Sequence, residues 1–216
     1  MLRAFVCVLA LLALGLRTAS AQDATPISPD AEDCTVETRS IEELRAIIGE
    51  PAAEGAGEAT SAVQATPEGF SLPVGTPADE ATTAEIVAAV HHLTACHNAG
   101  DFLAGFSLLT DEFIQSQIPL SVFDADFIAV MEGTPIALVE DVQTTILAVR
   151  EVTVLDEGRV SALYDYNSPT PQVEGIDGVE TDLFIFENVD GVWLLDETIE
   201  NVEGTHGPGT MATPAA

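Results

Sequence analysis

The sequence predicts an α+β domain in which helices pack on one face of a curved antiparallel sheet. Between about residues 84 and 132, apolar side chains recur with the spacing of amphipathic helices. From residue 142 onward the pattern changes to runs that are rich in β-branched and aromatic residues. Helices followed by consecutive strands are the order typical of an α+β fold.

Residues 1–21 predict a cleavable secretory signal. Arg3 supplies a positive start, residues 4–16 are apolar, and Ala19-Ser20-Ala21 has the small-residue pattern that a signal peptidase accepts. The apolar run is shorter than the roughly 20 residues that cross a bilayer. We therefore expect a secreted, extracytoplasmic protein with no membrane span after the signal is cleaved.

The chain is strongly acidic, with 36 Asp and Glu residues against 6 Arg and no Lys. The formal charge of −30 becomes −32 when Arg3 and Arg17 leave with the signal. Such a charge repels phosphate backbones, which excludes nucleic-acid binding. A high-salt habitat, a solubility requirement and a cationic partner all fit this charge, and we favour a solvated acidic surface.

Two cysteines, Cys34 and Cys96, remain after the signal is removed. In an oxidising compartment two cysteines usually pair, and this pair would tie the N-terminal segment to the first helix of the domain. A buried free cysteine is the alternative.

The segment before the domain, residues 22–83, is predicted to be mostly disordered, with a linker rich in Ala, Glu, Gly, Thr and Pro. A short helix near 40–48 interrupts it, because Ser40 and Glu43 have the spacing of a capping box. Residues 203–216 are predicted to be a disordered tail.

The first domain helix is expected to run from a cap at Thr82, with Glu85 three residues later, to about Asn98. Gly100 should end it, and Asp101 should begin a second short helix. The residues of its apolar stripe share one helical face. They are Ile86, Ala89, Val90, Leu93 and Cys96.

A third helix is predicted over residues 121–132. Four strands follow, and tight turns at 156–158 and 190–191 join the first and the last pairs into hairpins. The predicted strands are residues 142–155, 159–168, 180–188 and 191–200.

Three short strings in this order resemble the NTF2-like superfamily, which includes the SnoaL-like and ketosteroid-isomerase-like proteins. They are His97-Asn98-Ala99-Gly100-Asp101, Leu108-Leu109-Thr110-Asp111-Glu112-Phe113 and the hairpin Phe186-Glu187-Asn188-Val189-Asp190-Gly191-Val192-Trp193. The resemblance covers residues 84–202. It implies a cone, with N-terminal helices packed on a strongly curved antiparallel sheet and a pocket at the wide end. It also implies a candidate homodimer through the sheet.

The resemblance does not carry over a catalytic set. Aligned on residues 98–101, Leu93 stands where isomerases of this superfamily have a tyrosine, and Gln117 stands where they have the general-base aspartate. Leucine cannot donate to an enolate oxygen and glutamine cannot take a proton, so no catalytic residue is assigned. A cyclase would need a pocket acid or His, for which Asp124 and Asp126 are the candidates; surface carboxylates are the alternative.

The candidate pocket residues are Tyr164, Tyr166, His97 and Gln117. Alternation along the strand places both tyrosines on one face, where two phenols beside apolar side chains could orient a small organic ligand. Ordinary core or edge tyrosines and a structural helix-end histidine are the alternatives.

No metal site or other cofactor is predicted. His92 and His97 are five residues apart and therefore do not share a helical face, and His91 and His206 add no zinc-ligand spacing. The string Asp124-Ala125-Asp126 begins like a calcium loop, but it lacks the glycine that the sharp turn of such a loop needs.

Three functions remain open. The first is a non-enzymatic domain that binds a small ligand or has an accessory role, and we favour it. The second is a protein-interaction module that dimerises through the sheet. The third is a pocket enzyme of the isomerase or cyclase type with a rearranged active site. A fold that hosts many functions does not choose among them.

Overall fold

A computed structural model of the chain describes residues 25–49, 71–117, 125–168, 179–200 and 202. The predicted signal, most of the predicted linker and the predicted C-terminal tail lie outside the described residues, as does Asp124. The described part combines helices with a five-stranded antiparallel sheet, which confirms the α+β class.

The helices come mainly before the sheet, as the hydrophobic spacing predicts. Four of them match predicted helices, whereas α4 was not predicted. Their bounds are α1 Ile41–Ile48, α2 Glu80–Ala99, α3 Phe102–Phe106, α4 Asp111–Gln117 and α5 Ala125–Met131. Short 3₁₀ turns lie at Ala31–Asp33, Glu140–Val142 and Asp156–Gly158.

Helix α1 has the predicted capping box and is docked on the domain. The Ser40 hydroxyl accepts the Glu43 amide at 3.2 Å, and the Glu43 carboxylate accepts the Ser40 amide at 2.8 Å. Leu44 is fully buried and shares a cluster with Ile114 of α4 and Met131 of α5. The sequence alone does not indicate this docking, because the partner residues lie about 70 and 87 positions away along the chain.

Helix α2 begins earlier than the sequence predicts. Asp79 is its N-cap and accepts the Thr82 amide at 2.8 Å, so the expected cap at Thr82 is wrong. Aspartate is at least as good a cap as threonine, and residues 80–83 are compatible with a further helical turn. The predicted end is confirmed: Gly100 has a φ of 65°, and Asp101 caps α3 by accepting the Ala104 amide at 3.0 Å.

The sheet is a meander with the strand order β1-β2-β3-β4-β5. The four predicted strands are present as β2 Thr145–Val154, β3 Val160–Asn167, β4 Val179–Val189 and β5 Val192–Ile199. A two-residue strand, β1 Thr76–Pro77, lies within the predicted linker and pairs with the end of β2. Residues 71–83 therefore hold β1 and the first turn of α2.

The two faces of the sheet have different neighbours. Val160 and Ala162 of β3 pack with Phe186 of β4 against Ile86 and Val90 of α2. We call this the helical face of the sheet, and the opposite one the outer face. Successive residues of a strand point to opposite faces, so Tyr164 and Tyr166 lie on the same face as Val160 and Ala162, which is the helical face; the sequence left open which face this would be.

The outer face is largely buried at its centre. Leu163 and Leu183 are 2% and 1% exposed, and they share a cluster with Ile199 and Val202. The Val202 amide donates to the Thr181 carbonyl at 2.9 Å. A homodimer through the sheet stays a prediction, and it would have to use other parts of this face.

Residues of the N-terminal segment are held against α2 and β2. The Cys34–Cys96 disulfide is present, as predicted. Asn98 is fully buried, and its side-chain amide group donates to the carbonyls of Pro29 and Thr144 and accepts the Thr144 amide at 2.9 Å. The helix-end residue Asn98 is therefore a cross-link between three segments.

No helix in the described ranges is long and apolar enough to span a membrane.

Candidate functional site

A cleft of about 300 Å³ lies between α2 and the helical face of the sheet. This volume is at the lower end of the range for small-molecule sites. Most of the residues that line it come from one helix and two neighbouring strands, and Thr144, Ser168 and Leu195 complete the lining. Those of the helix and the two strands are Leu93, Thr94 and His97 of α2, Tyr164 and Tyr166 of β3, and Asp182 and Phe184 of β4.

Strand register explains why these residues meet. In the antiparallel pair β3–β4, Tyr164 lies opposite Asp182 and Tyr166 lies opposite Glu180. Directly opposed residues place their side chains on the same face of a sheet. The two tyrosines of β3 therefore stand opposite two carboxylates of β4, and all four side chains lie on one face of the sheet.

Aromatic rings form one wall of the cleft. The rings of Tyr164 and Tyr166 stack with centroids 4.6 Å apart and an interplanar angle of 13°. Phe184 lies 4.9 Å from the Tyr164 ring at a tilted angle. Aromatic pairs in this range of distances stabilise each other beyond the area that they bury, so the wall is a firm surface for a ligand.

The hydroxyl of Tyr164 is held inside the protein. Its oxygen lies 3.0 Å from the Thr94 hydroxyl, which is itself 2.9 Å from the Val90 carbonyl. The Thr94 hydroxyl has a single hydrogen, and it donates this hydrogen to the Val90 carbonyl, which can only accept. In the bond between Thr94 and Tyr164, the Tyr164 hydroxyl is therefore the donor. Burial raises the pKa of Tyr164 to about 12.

Tyr166 lies between the two carboxylates of β4. Its hydroxyl is 2.9 Å from Asp182 Oδ2 and 3.0 Å from Glu180 Oε2. Burial, followed by the negative charges of Asp182 and Glu180, raises the pKa of Tyr166 far above its usual value. Because a phenolate beside two carboxylates is disfavoured, both phenols of the cleft stay protonated at neutral pH.

His97 is at the rim of the cleft. The residue is exposed overall, and partial desolvation by the surrounding protein lowers the pKa of its imidazole below the usual value. Desolvation disfavours the charged form of a histidine, so the ring is neutral at pH 7.

Gln117 lies away from the other three predicted residues. It is exposed at the end of α4 and borders a second cleft of about 670 Å³, which is open to solvent and lined mostly by charged side chains. Arg159 crosses that cleft to Asp196 at 3.3 Å and Glu197 at 3.8 Å. We take the smaller cleft as the candidate site because ligand pockets are mostly apolar with a few fixed polar groups.

Of the residues that line the smaller cleft, only Tyr164, Tyr166 and His97 were predicted from the sequence; two of the others, Thr94 and Asp182, hold the phenols in place. Thr94 lies on the apolar face of α2 next to Leu93, and its role follows only from its bond to Tyr164. Asp182 is 5% exposed, although aspartate is a residue type that is seldom buried. The alternating pair Glu180 and Asp182 was the available signal, because two acids on one face of a buried strand need partners.

The remaining predicted positions lie outside the candidate site. Asp126 is exposed on α5, and His91 and His92 are half-buried on α2. Within the described ranges, no group of three or more His, Cys, Asp or Glu side chains is arranged to hold a metal ion.

Comparison with protein-family models and with curated protein sequences gives no match for this chain.

Proposed function

We propose that this chain is a secreted domain of the NTF2-like type that binds a small organic ligand in the cleft between α2 and the helical face of the sheet. The observation that carries the proposal is the aromatic wall of Tyr164, Tyr166 and Phe184, with a buried carboxylate beside it. An apolar surface with one fixed polar group is the usual construction of a small-ligand site.

Binding is favoured over turnover by the state of the four predicted pocket residues. Both phenols are protonated, and each is already bonded within the protein. A tyrosinate base is therefore absent from this cleft at neutral pH, and Gln117 lies outside it. The neutral ring of His97 is the one group of the four predicted residues that could take a proton from a ligand.

Two features support the proposed location outside the cytoplasm. The predicted signal over residues 1–21 directs export, and the Cys34–Cys96 disulfide is typical of proteins in an oxidising environment. The resemblance over residues 84–202 and the α+β order of the elements support the superfamily.

Native mass spectrometry of the mature protein, secreted by its own host, tests the binding function. We expect a population that carries a small-molecule adduct, and Leu93→Phe should remove it by filling the cleft. Val87→Phe is the matched control, since Val87 is an exposed residue of the same helix and is not part of the cleft.

An adduct-free mass for the wild-type protein would contradict tight binding of a small ligand. If the protein were at the same time a dimer, an interaction module would be the better description. Equal loss of the adduct in the two variants would place the ligand elsewhere.

A further inference from the structure

We propose that the ligand of this cleft is a small aromatic compound of one or two rings that carries a hydrogen-bond donor and no negative charge. This inference rests on the proposed function, because it names the class of ligand that the same cleft binds. It commits to a ring packed against Tyr166 and Phe184, and to a ligand N–H or O–H that donates to the hydroxyl oxygen of Tyr166.

The size of the cleft limits the ligand to a small ring system. Its volume is about 300 Å³. A water molecule takes about 30 Å³ in the liquid, so the cleft has the volume of about ten waters. One ring or two fused rings fill such a space, and a larger ring system would extend out of it.

The aromatic wall offers ring surface to a ligand. Tyr164 is 5% exposed and is covered by the ring of Tyr166, whereas Tyr166 and Phe184 are only half-buried and line the cleft. Stacked or edge-to-face contacts between aromatic rings are stabilising beyond the area that they bury. An aromatic ligand therefore gains more from this wall than an aliphatic ligand of the same size.

The hydrogens of the two phenols are used within the chain. Tyr164 donates to Thr94, and the single hydrogen of Tyr166 is directed to the carboxylates of Asp182 and Glu180 at 2.9 and 3.0 Å. Toward a ligand, each phenol oxygen can therefore only accept. A ligand that donates a hydrogen bond complements the wall, and a ligand that only accepts does not.

Tyr166 is the better acceptor of the two tyrosines. The Tyr164 hydroxyl is held inside the protein by Thr94, whereas Tyr166 is half-buried. A hydroxyl that donates to a carboxylate is polarised by that bond, and this strengthens it as an acceptor of a further bond. We therefore place the donor of the ligand at the Tyr166 oxygen.

The charges around the cleft oppose an anionic ligand. The Asp182 carboxylate is part of the lining, and desolvation leaves His97 at the rim neutral at pH 7 because it lowers the pKa of the imidazole. In the described part of the chain, Arg39, Arg150 and Arg159 form their ion pairs outside this lining. A ligand carboxylate would therefore be desolvated beside another carboxylate, which is unfavourable.

Isothermal titration of the mature protein with three isosteric probes tests the donor. Indole, indene and benzofuran share one bicyclic shape, and they carry a donor, no polar group and a weak acceptor, respectively. We expect indole to bind about threefold or more tightly than indene, which is the usual net effect of one neutral hydrogen bond. Benzofuran should bind no more tightly than indene, and indole-5-carboxylate should bind weakest.

The position of the donor is tested by nuclear magnetic resonance. The N–H proton of bound indole should show a nuclear Overhauser contact with the ring protons that flank the Tyr166 hydroxyl. The assignment is simple, because the chain has two tyrosines. A contact with the His97 ring instead, or with neither residue, would contradict the assignment of Tyr166.

Two phenylalanine variants test the contact with the ring. Phe184→Leu should weaken all three bicyclic probes by about twofold or more, because it removes one ring of the wall. Phe102→Leu is the matched control, since Phe102 is exposed on α3 and is not part of the cleft. Equal affinities in the two variants would contradict the contact with Phe184. If Phe184→Leu does not fold, the order of the probes on the wild-type protein still decides.

Two results would overturn the inference while leaving the proposed function intact. One is binding of indene or benzofuran that equals or exceeds that of indole. The other is tightest binding of indole-5-carboxylate. If none of the probes binds, the adduct seen by native mass spectrometry decides. An aromatic adduct with a donor and no negative charge supports the inference, any other adduct overturns it, and the absence of an adduct overturns the proposed function itself.

Discussion

The two tyrosines of the chain make the cleft accessible to a direct measurement. Tyr164 and Tyr166 are the only tyrosines in the sequence, and both lie in the aromatic wall. Any tyrosine signal of the native protein therefore reports on the candidate site. Their environments also differ, since Tyr164 is bonded to a hydroxyl and Tyr166 to carboxylates.

We expect neither tyrosine to ionise at pH 10, where a tyrosine in water is half ionised. Burial raises the pKa of Tyr164 from 10 to about 12 and raises that of Tyr166 further. The folded state thus holds these protons more tightly than the unfolded state. The stability that they contribute is complete below pH 10 and is lost as the pH rises toward 12 and beyond. Tyrosinate absorbance, followed together with circular dichroism, checks this expectation.

The same titration in denaturant is the control, because both phenols should then ionise near pH 10. If the native protein also formed tyrosinate near pH 10 while remaining folded, the two rings would be in contact with solvent. The stacked, buried arrangement of Tyr164 and Tyr166 would then be wrong.

Two glycines with positive φ allow two costs of a side chain to be compared: the cost of the backbone conformation and the cost of steric overlap. Gly100 and Gly191 have φ values of 65° and 89°, which an L-residue adopts at a cost. A Cβ on Gly191 meets no neighbouring atom, whereas a Cβ on Gly100 would overlap the backbone carbonyl of Ile136. We expect Gly191→Ala to cost about 1 kcal/mol of unfolding free energy. Gly100→Ala should cost clearly more in the same urea titration, and equal losses would contradict the close approach.

At the scale of elements, the sequence predicts what is locally encoded. The capping box of Ser40 and Glu43 and the terminator Gly100 are recognisable because every partner lies within a few residues. Helix α4 was not predicted because its apolar residues, Phe113 and Ile114, occupy a single turn. One turn is too short to show a helical periodicity in the sequence. Its burial depends on α1.

Long-range pairing limits what could be predicted of the site. Alternation places Tyr164 and Tyr166 on one face, but it does not say which acids stand opposite them. That requires the register of β3 on β4, which the sequence of the two strands does not fix by itself. The grouping of Asp182 with the tyrosines thus follows from the structure, although each residue type is visible in the sequence.

Helix α1 should be an integral part of the folded unit, which Leu44→Ala tests. Leu44 is fully buried against α4 and α5, and Arg39 beside the helix contacts Asp111 at 2.6 Å. We expect a loss of about 2–5 kcal/mol in the unfolding free energy of the whole domain, measured by denaturant titration with Trp193 fluorescence.

Glu42→Ala is the matched control on the same helix, because Glu42 is exposed and should change the stability by less than about 0.5 kcal/mol. If Leu44→Ala left the transition reported by Trp193 unchanged, α1 would be an independent segment. Its contact with α4 would then contribute nothing to the stability of the sheet.

For the whole molecule, the large excess of negative over positive charge is the dominant electrostatic feature. Arg39, Arg150 and Arg159 form ion pairs that are exposed or partly buried, and exposed pairs of this kind contribute about 0–1 kcal/mol each. The chain has 36 acidic residues and only 6 arginines, so its negative charge is largely unbalanced. Mutual repulsion of the carboxylates therefore destabilises the compact state at neutral pH.

We expect sodium chloride to raise the melting temperature at pH 7. Raising the salt from about 0.1 M to 1 M shortens the screening length from about 10 Å to about 3 Å, which weakens repulsion between carboxylates more than it weakens contacts between neighbouring ions. Each kcal/mol gained in unfolding free energy should raise the midpoint of thermal unfolding by about 4 °C.

The control is the same salt series near the isoelectric point of about 4.1, where the net charge vanishes and the effect should vanish with it. A melting temperature that falls with salt at pH 7 would mean that the arginine ion pairs outweigh the repulsion between carboxylates. An equal rise at both pH values would mean that salt acts through the solvent rather than through the charge of the protein.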